Sequence, residues 1–251
     1  MENIGERVIW HYVPFTDIAL PLGGVNILTI LNTLLVMFVL LVLMRLGIRR
    51  MQKIPGRGQL MVEMFVGAFD DLVGSSLELE TRRDNRKYFP LIAALFCFLL
   101  LANFMGFFPS DFFQEPTADI NTTLALGILG MTIATFSAMR AKGIGGYFEE
   151  LLGPMWSQEG AKGAAKIAGK LSAIFFFPLN VIGELSKVVS ISFRLFGNIM
   201  GGAIIIVVVS TLTYNLVLPI ALNGFFVFFV GTIQAFVFTM LTLTYIAVAI
   251  K

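Results

Sequence analysis

Apolar runs of bilayer-spanning length decide the architecture of this chain before any single residue is weighed. Val25–Met44 is an uncharged run of 20 residues, enough for a helix to cross a hydrocarbon core of about 30 Å. Phe89–Phe108 and Thr122–Met139 are two further candidates. Leu171–Thr213 and Leu216–Ile250 are much longer, with Tyr214 and Asn215 as the expected turn between them. With 57% hydrophobic and only 14% charged residues, no water-soluble domain could hide this surface. The expectation is an all-α, polytopic membrane protein with five crossings, built as one membrane domain over residues 1–251. It divides into an outer segment 1–24, spans at 25–44, 89–108 and 122–139, loops at 45–88 and 140–170, and a helical hairpin at 171–250.

Loop charge orients these segments. Residues 45–88 carry nine Lys and Arg, whereas residues 109–121 carry none and hold Asp111, Glu115 and Asp119. Residues 140–170 carry five basic residues, the turn near 214 none, and Lys251 ends the sequence. The alternation follows the positive-inside rule and predicts an outer N-terminus and a cytoplasmic C-terminus. Trp10, Tyr12 and Tyr88 stand where interfacial aromatics are expected. The start, MENIGERVIWHY, lacks a basic segment and a small-residue cleavage motif, so no removable signal peptide is expected.

Within the first basic loop, Leu60-Met61, Met64-Phe65, Ala68-Phe69 and Leu72-Val73 recur every four residues, with Glu63, Asp70 and Asp71 on the other side. That pattern predicts an amphipathic cytoplasmic helix, lying in the membrane interface or docked on another helix. The single cysteine, Cys97, excludes an intramolecular disulfide and reads as a packing residue. One histidine, His11, excludes a His cluster for metal, and nothing calls for a cofactor.

The last two runs are too long for upright spans. As helices they would measure about 64 Å and about 52 Å. Glu184 and Lys187 in mid-run oppose splitting the first into two spans. A strongly tilted antiparallel pair of helices accommodates the excess.

Inside that pair, residues 190–202 read SISFRLFGNIMGG. An arginine at membrane depth costs about 2.5–3.5 kcal/mol on insertion scales, so Arg194 should face a partner or a wet cavity. On a helix, Lys187, Ser190, Asn198 and Gly201 share its face, and Gly197 and Gly201 form a G-x-x-x-G pair open to close helix approach. Arg194 lies 20 residues before Tyr214 and Gln234 lies 20 after it, so an antiparallel pair brings them to one depth. Asn223 and Tyr245 each stand 11 residues from Gln234, predicting a polar stripe on the last helix. An arginine does not release its proton at working pH and is a poor relay. Its fixed charge instead attracts a carboxylate, favours that carboxylate's ionised form and repels passing cations. No acid accompanies Arg194 locally, which points to an acid on another chain.

ELSKVVSISFRLFGN with the late IQAF, together with NFMGFFP and PTADINTTLALG (116–127), resembles the subunit a family of F-type ATP synthases from about residue 60 onward. The resemblance implies that Arg194 is the stator arginine, Asn198 and Gln234 its accompanying amides, and that the last two helices lie nearly in the membrane plane. It implies a bacterial inner-membrane subunit whose partners are a c-ring bearing carboxylates, b-type peripheral stalk subunits, F1 and lipid, with no nucleic acid. ATP chemistry would reside on F1, and this chain would supply two offset half-channels for H⁺ or Na⁺. Glu184 would line the inner one, and Ser190 and Tyr245 are candidates for lining either half-channel. Ala203 and Val227 stand where many relatives have Glu or His, so the outer one would use Asp119, Asn121 or Asn223, or mostly water. A self-contained transporter binding an anion at Arg194 is the alternative; it should show internal repeats, and none is evident.

Overall fold

The computed structural model describes residues 9–10, 25–48, 56–77, 82–108, 113–152, 164–213 and 217–250. The expected turn at Tyr214–Asn215, the side chain of Trp10, and Tyr12, His11 and Asp111 lie outside the described residues. Two short strands, β1 (Ile9–Trp10) and β2 (Val25–Asn26), pair antiparallel ahead of the first helix. Everything else regular is helical: α1 (Ile27–Ile48), α2 (Arg57–Leu77), α3 (Arg82–Phe104), α4 (Ile120–Leu152), α5 (Ala164–Thr213), α6 (Val217–Gly224) and α7 (Gly231–Ile250). A π-helical turn, Phe225–Val230, joins α6 to α7. Among the described residues, five stretches are long and apolar enough to cross a membrane: Ile27–Gly47, Lys87–Phe107, Ile120–Glu149, Phe175–Thr213 and Val217–Ile250. The chain is an all-α, polytopic membrane protein.

Helices outrun the apolar runs that announced them, because hydropathy marks where lipid ends and not where backbone hydrogen bonding ends. α4 continues past Met139 to Leu152, bending at Gly143, whose φ of 77° favours glycine. α5 starts at Ala164, ahead of Leu171, and passes through Pro178, Glu184 and Lys187 without a break.

Two buried clusters organise the bundle. In the first, Phe69, Val73 and Leu77 of α2 pack with Ile92 of α3, Ala134 of α4, and Leu243 and Ile246 of α7. The amphipathic helix therefore docks the C-terminal part of its apolar face on its own chain, while Leu60, Met61 and Met64 stay exposed. The second cluster joins Leu99 of α3 to Ile191 and Leu195 of α5 and to Ala235 and Phe238 of α7.

α5 packs chiefly along α4, and α7 along α3 and α4, so α4 is the strut that sets both long helices. Small residues permit the approach. A Cβ on Gly127 would lie 3.3 Å from the Val188 carbonyl oxygen, and one on Gly130 would lie 3.3 Å from the Thr242 side chain. Between the same helices the Ser192 hydroxyl donates to the Thr123 carbonyl at 3.0 Å.

The segment between α3 and α4 is pinned from several sides, which matters for the site. Asn32 of α1 donates to the Gln114 carbonyl at 3.1 Å, and the buried Thr117 hydroxyl donates to Asn103 Oδ1 at 3.0 Å. Asn103 in turn donates to the Gly231 carbonyl at 2.9 Å. A 3₁₀ turn, Pro116–Ala118, carries the chain into α4.

Candidate functional site

The faces of α5 follow directly from its helical period. Ile191, Ser192 and Leu195 are buried, whereas Ser190, Phe193, Arg194 and Gly197 are exposed. Arg194 thus stands on an outward surface with the exposed apolar residues Val189, Phe193, Met200 and Ile204. Among the described residues no ion pair or hydrogen bond reaches its guanidinium. Among the described residues nothing lies within 4 Å of a Cβ built on Gly197 or Gly201, so their G-x-x-x-G pair receives none of the described helices.

Among the described residues, two cavities with polar groups set in largely apolar walls border α5 on either side of Arg194 along the chain. The first, about 340 Å³, is lined on α5 by Asn198, Gly202, Ala203 and Ile206, and opposite by Asn223, Val227 and Gln234. Asn103, Gly106, Gln114 and Glu115 complete its wall. The second, about 410 Å³, is lined by Asn180, Glu184 and Lys187 of α5, Tyr147 and Leu151 of α4, and Tyr245 of α7. There Lys187 Nζ pairs with Glu184 Oε1 at 2.5 Å and lies 5.5 Å from the centroid of the Tyr245 ring. Asn180 ties α5 to α4 by donating to the Leu151 carbonyl at 3.0 Å.

The expected residues divide between these places. Asn198, Gln234 and Asn223 meet in the first cavity, and Glu184 and Tyr245 in the second; Arg194 and Ser190 line neither. The polar stripe anticipated on the last helix is therefore split, with Asn223 and Gln234 on one cavity and Tyr245 on the other. Leu195 and Ala235 share a buried cluster, so the count from the turn does relate the depths of Arg194 and Gln234. Their side chains diverge, however: Gln234 is 7% exposed and walls the cavity, while Arg194 looks outward.

Asp119 and Asn121 line neither cavity. Asp119 caps α4 instead: one carboxylate oxygen accepts the Asn121 backbone N–H at 3.0 Å and the other the Thr29 hydroxyl at 3.3 Å.

Sequence reasoning passed over Glu115, the one acid among the described residues in the wall of the first cavity. Burial pushes its carboxyl up to about 7. The available signal was its place before Pro116, which holds a residue extended (φ −61°, ψ 119°) at the entry to the 3₁₀ turn.

In chemical terms, the arrangement offers two cavities whose largely apolar walls carry amides and carboxyls, and a fixed cation on an apolar surface between them. Among the described residues no group of three His, Cys, Asp or Glu side chains could hold a metal ion.

Residues 29–247 match the family described as ATP synthase A chain. The chain is 37% identical over 220 residues to ATP synthase subunit a of Moorella thermoacetica, covering 87% of this chain and 88% of that one. It is 33% identical over 235 residues to the sodium ion specific ATP synthase subunit a of Propionigenium modestum, covering 87% and 72%. The subunit a of Aliarcobacter butzleri is 32% identical over 214 residues, covering 85% and 84%.

Proposed function

The chain belongs to the ATP synthase A chain family, and from that premise we propose that it is the ion-conducting stator of the Fo sector, with Arg194 facing a rotating c-ring. It is a non-catalytic membrane subunit, and ATP is made elsewhere in the assembly. Each c-ring carboxylate loads an ion from one cavity, travels round the ring, and unloads into the other. The Arg194 guanidinium passes the emptied carboxylates by transient pairing and repels cations that would short-circuit the two cavities.

One observation carries this reading: Arg194 is exposed on an apolar membrane surface, between two polar cavities, with no acid among the described residues to pair with it. A charge so placed needs a partner or a wet cavity at membrane depth, and Arg194 lines neither cavity. Exposed apolar residues along α5, from Val189 to Ile205, give that partner a face of matching chemistry. The unfilled Gly197 and Gly201 would let its helices approach closely.

By the loop charges, the cavity with Asn198 and Gln234 opens outside, and the cavity with Glu184 opens to the cytoplasm of a bacterial inner membrane. α2 then lies on the cytoplasmic side, where b-type stalk subunits and F1 would assemble, and the C-terminus is cytoplasmic.

Cysteine accessibility in the assembled complex tests this arrangement. With Cys97→Ser as background, a membrane-impermeant thiol reagent should label Ala203→Cys only from the outer side. It should label Gly183→Cys only from the cytoplasmic side. Labelling of both from one side would contradict two opposed half-channels.

A further inference from the structure

Asn, Gln, Gly and apolar residues make up nearly all of the wall of the first cavity, including Ala203 and Val227. Amides hydrogen-bond water but do not take and release protons near neutral pH. Among the described residues Glu115 is the only lining side chain that does. Its carboxyl lies over Gly106, so closely that a Cβ there would overlap Oε1 and come within 2.7 Å of Glu115 Cγ.

The backbone around Glu115 leaves little freedom to move it elsewhere. The Gln114 carbonyl is held by Asn32, and Thr117 by Asn103, which is itself bonded to Gly231. Across the cavity stands Gln234, nine-tenths buried and with no hydrogen-bond partner among the described residues. An unpartnered buried amide on the wall of a space that holds about ten waters points to water as its missing partner.

Resting on the function proposed above, we propose that Glu115 is the proton-exchanging group of the outer half-channel. Its carboxylate accepts a proton from hydronium at the cavity mouth and leaves a water molecule. The resulting carboxylic acid gives that proton to a water on the Gln234 and Asn198 side, from which it reaches the ring, and Glu115 returns to carboxylate. Charge and atoms balance without any further reactant.

The electrostatic surroundings fit an exchanger. No other acid and no base lines the cavity from α3, α5, α6, the π-helical turn or α7. The nearest charges in sequence on the packed elements are Asp119, bonded to Thr29 and the α4 N-terminus, and Arg194, outside the wall. Burial raises the Glu115 carboxyl to about 7, so both forms are populated near neutral pH, where exchange is most efficient. As the outer pH rises past that value the acid form empties, so loading falls.

The test is passive proton flux through membrane vesicles carrying the complex stripped of F1, measured against outer pH. Wild type should show a flux that declines as outer pH rises above about 7. Glu115→Gln should lower the flux about 100-fold and abolish that decline. Glu115→Asp should retain part of both. Adding Ala203→Glu to Glu115→Gln restores a carboxyl to the same cavity and should recover much of the flux. Near-normal flux with an unchanged pH profile in Glu115→Gln would overturn the assignment. So would a loss of flux or of assembly that Ala203→Glu does not repair, or a wild-type flux that follows Na⁺ and ignores pH. Arg194→Ala run in parallel separates the two layers. Coupled pumping surviving in Arg194→Ala sinks the stator reading, whereas normal flux confined to Glu115→Gln sinks only the role of Glu115.

Discussion

Arg194 and Glu115 are opposite cases of what a sequence discloses about a charged residue. Arg194 announces itself because a permanent charge inside a long apolar run has no cheap explanation. Glu115 does not, because an acid between two membrane spans looks like any solvated loop residue. Its position depends on contacts distant in sequence: the Asn32 to Gln114 bond spans α1, and Gly106 contributes by having no side chain. Asp119, offered as outer lining because Ala203 and Val227 lack polar groups, has its oxygens bonded to Thr29 and to the first turn of α4. The Gly106 contact makes a specific prediction. In Gly106→Ala the new methyl would overlap Glu115 Oε1 and Cδ and come within 2.7 Å of Cγ, so the Glu115 side chain must rotate away and its carboxyl leaves its place on the cavity wall. The complex should assemble at normal abundance in the membrane while its passive proton flux falls towards that of Glu115→Gln. Unchanged flux would contradict the placement of that carboxyl.

At the scale of helices, the lipid-facing lengths were readable and the helix ends were not. Five apolar stretches follow from hydropathy, but α4 and α5 extend through polar sequence because helical hydrogen bonding continues where solvent changes. The π-helical turn at Phe225–Val230 left no mark in the apolar pattern, since FFVFFV is equally hydrophobic in any helical register. It sets the register of α6 relative to α7, with Asn223 and Gln234 on one cavity wall. The central role of α4 was likewise hidden, because small residues such as Gly127 carry no hydrophobic signal. A Cβ at that position would overlap Ser192 Oγ and meet both Val188 Cγ1 and the Val188 carbonyl oxygen at 3.3 Å. Gly127→Ala should therefore push α5 off α4, break the Ser192 to Thr123 bond and destabilise the bundle by about 1–3 kcal/mol. Thermal unfolding of the purified subunit in detergent would register it, and an unchanged midpoint would contradict the close α4–α5 contact.

For the whole molecule, the bundle is sealed where helices of this chain meet and left open where α5 turns outward. Two clusters bury α2, α3, α4 and α7 against one another, whereas the long exposed side of α5 carries aliphatic residues and one guanidinium that has no partner among the described residues. The missing carboxylate is the claim on which the account turns, and ATP-driven ion pumping by the assembled complex in inverted vesicles tests it most directly. With Arg194→Ala, pumping should be lost while ATP hydrolysis by the F1 sector, assayed after its release, is retained. Coupled pumping at the wild-type rate in that variant would contradict the account.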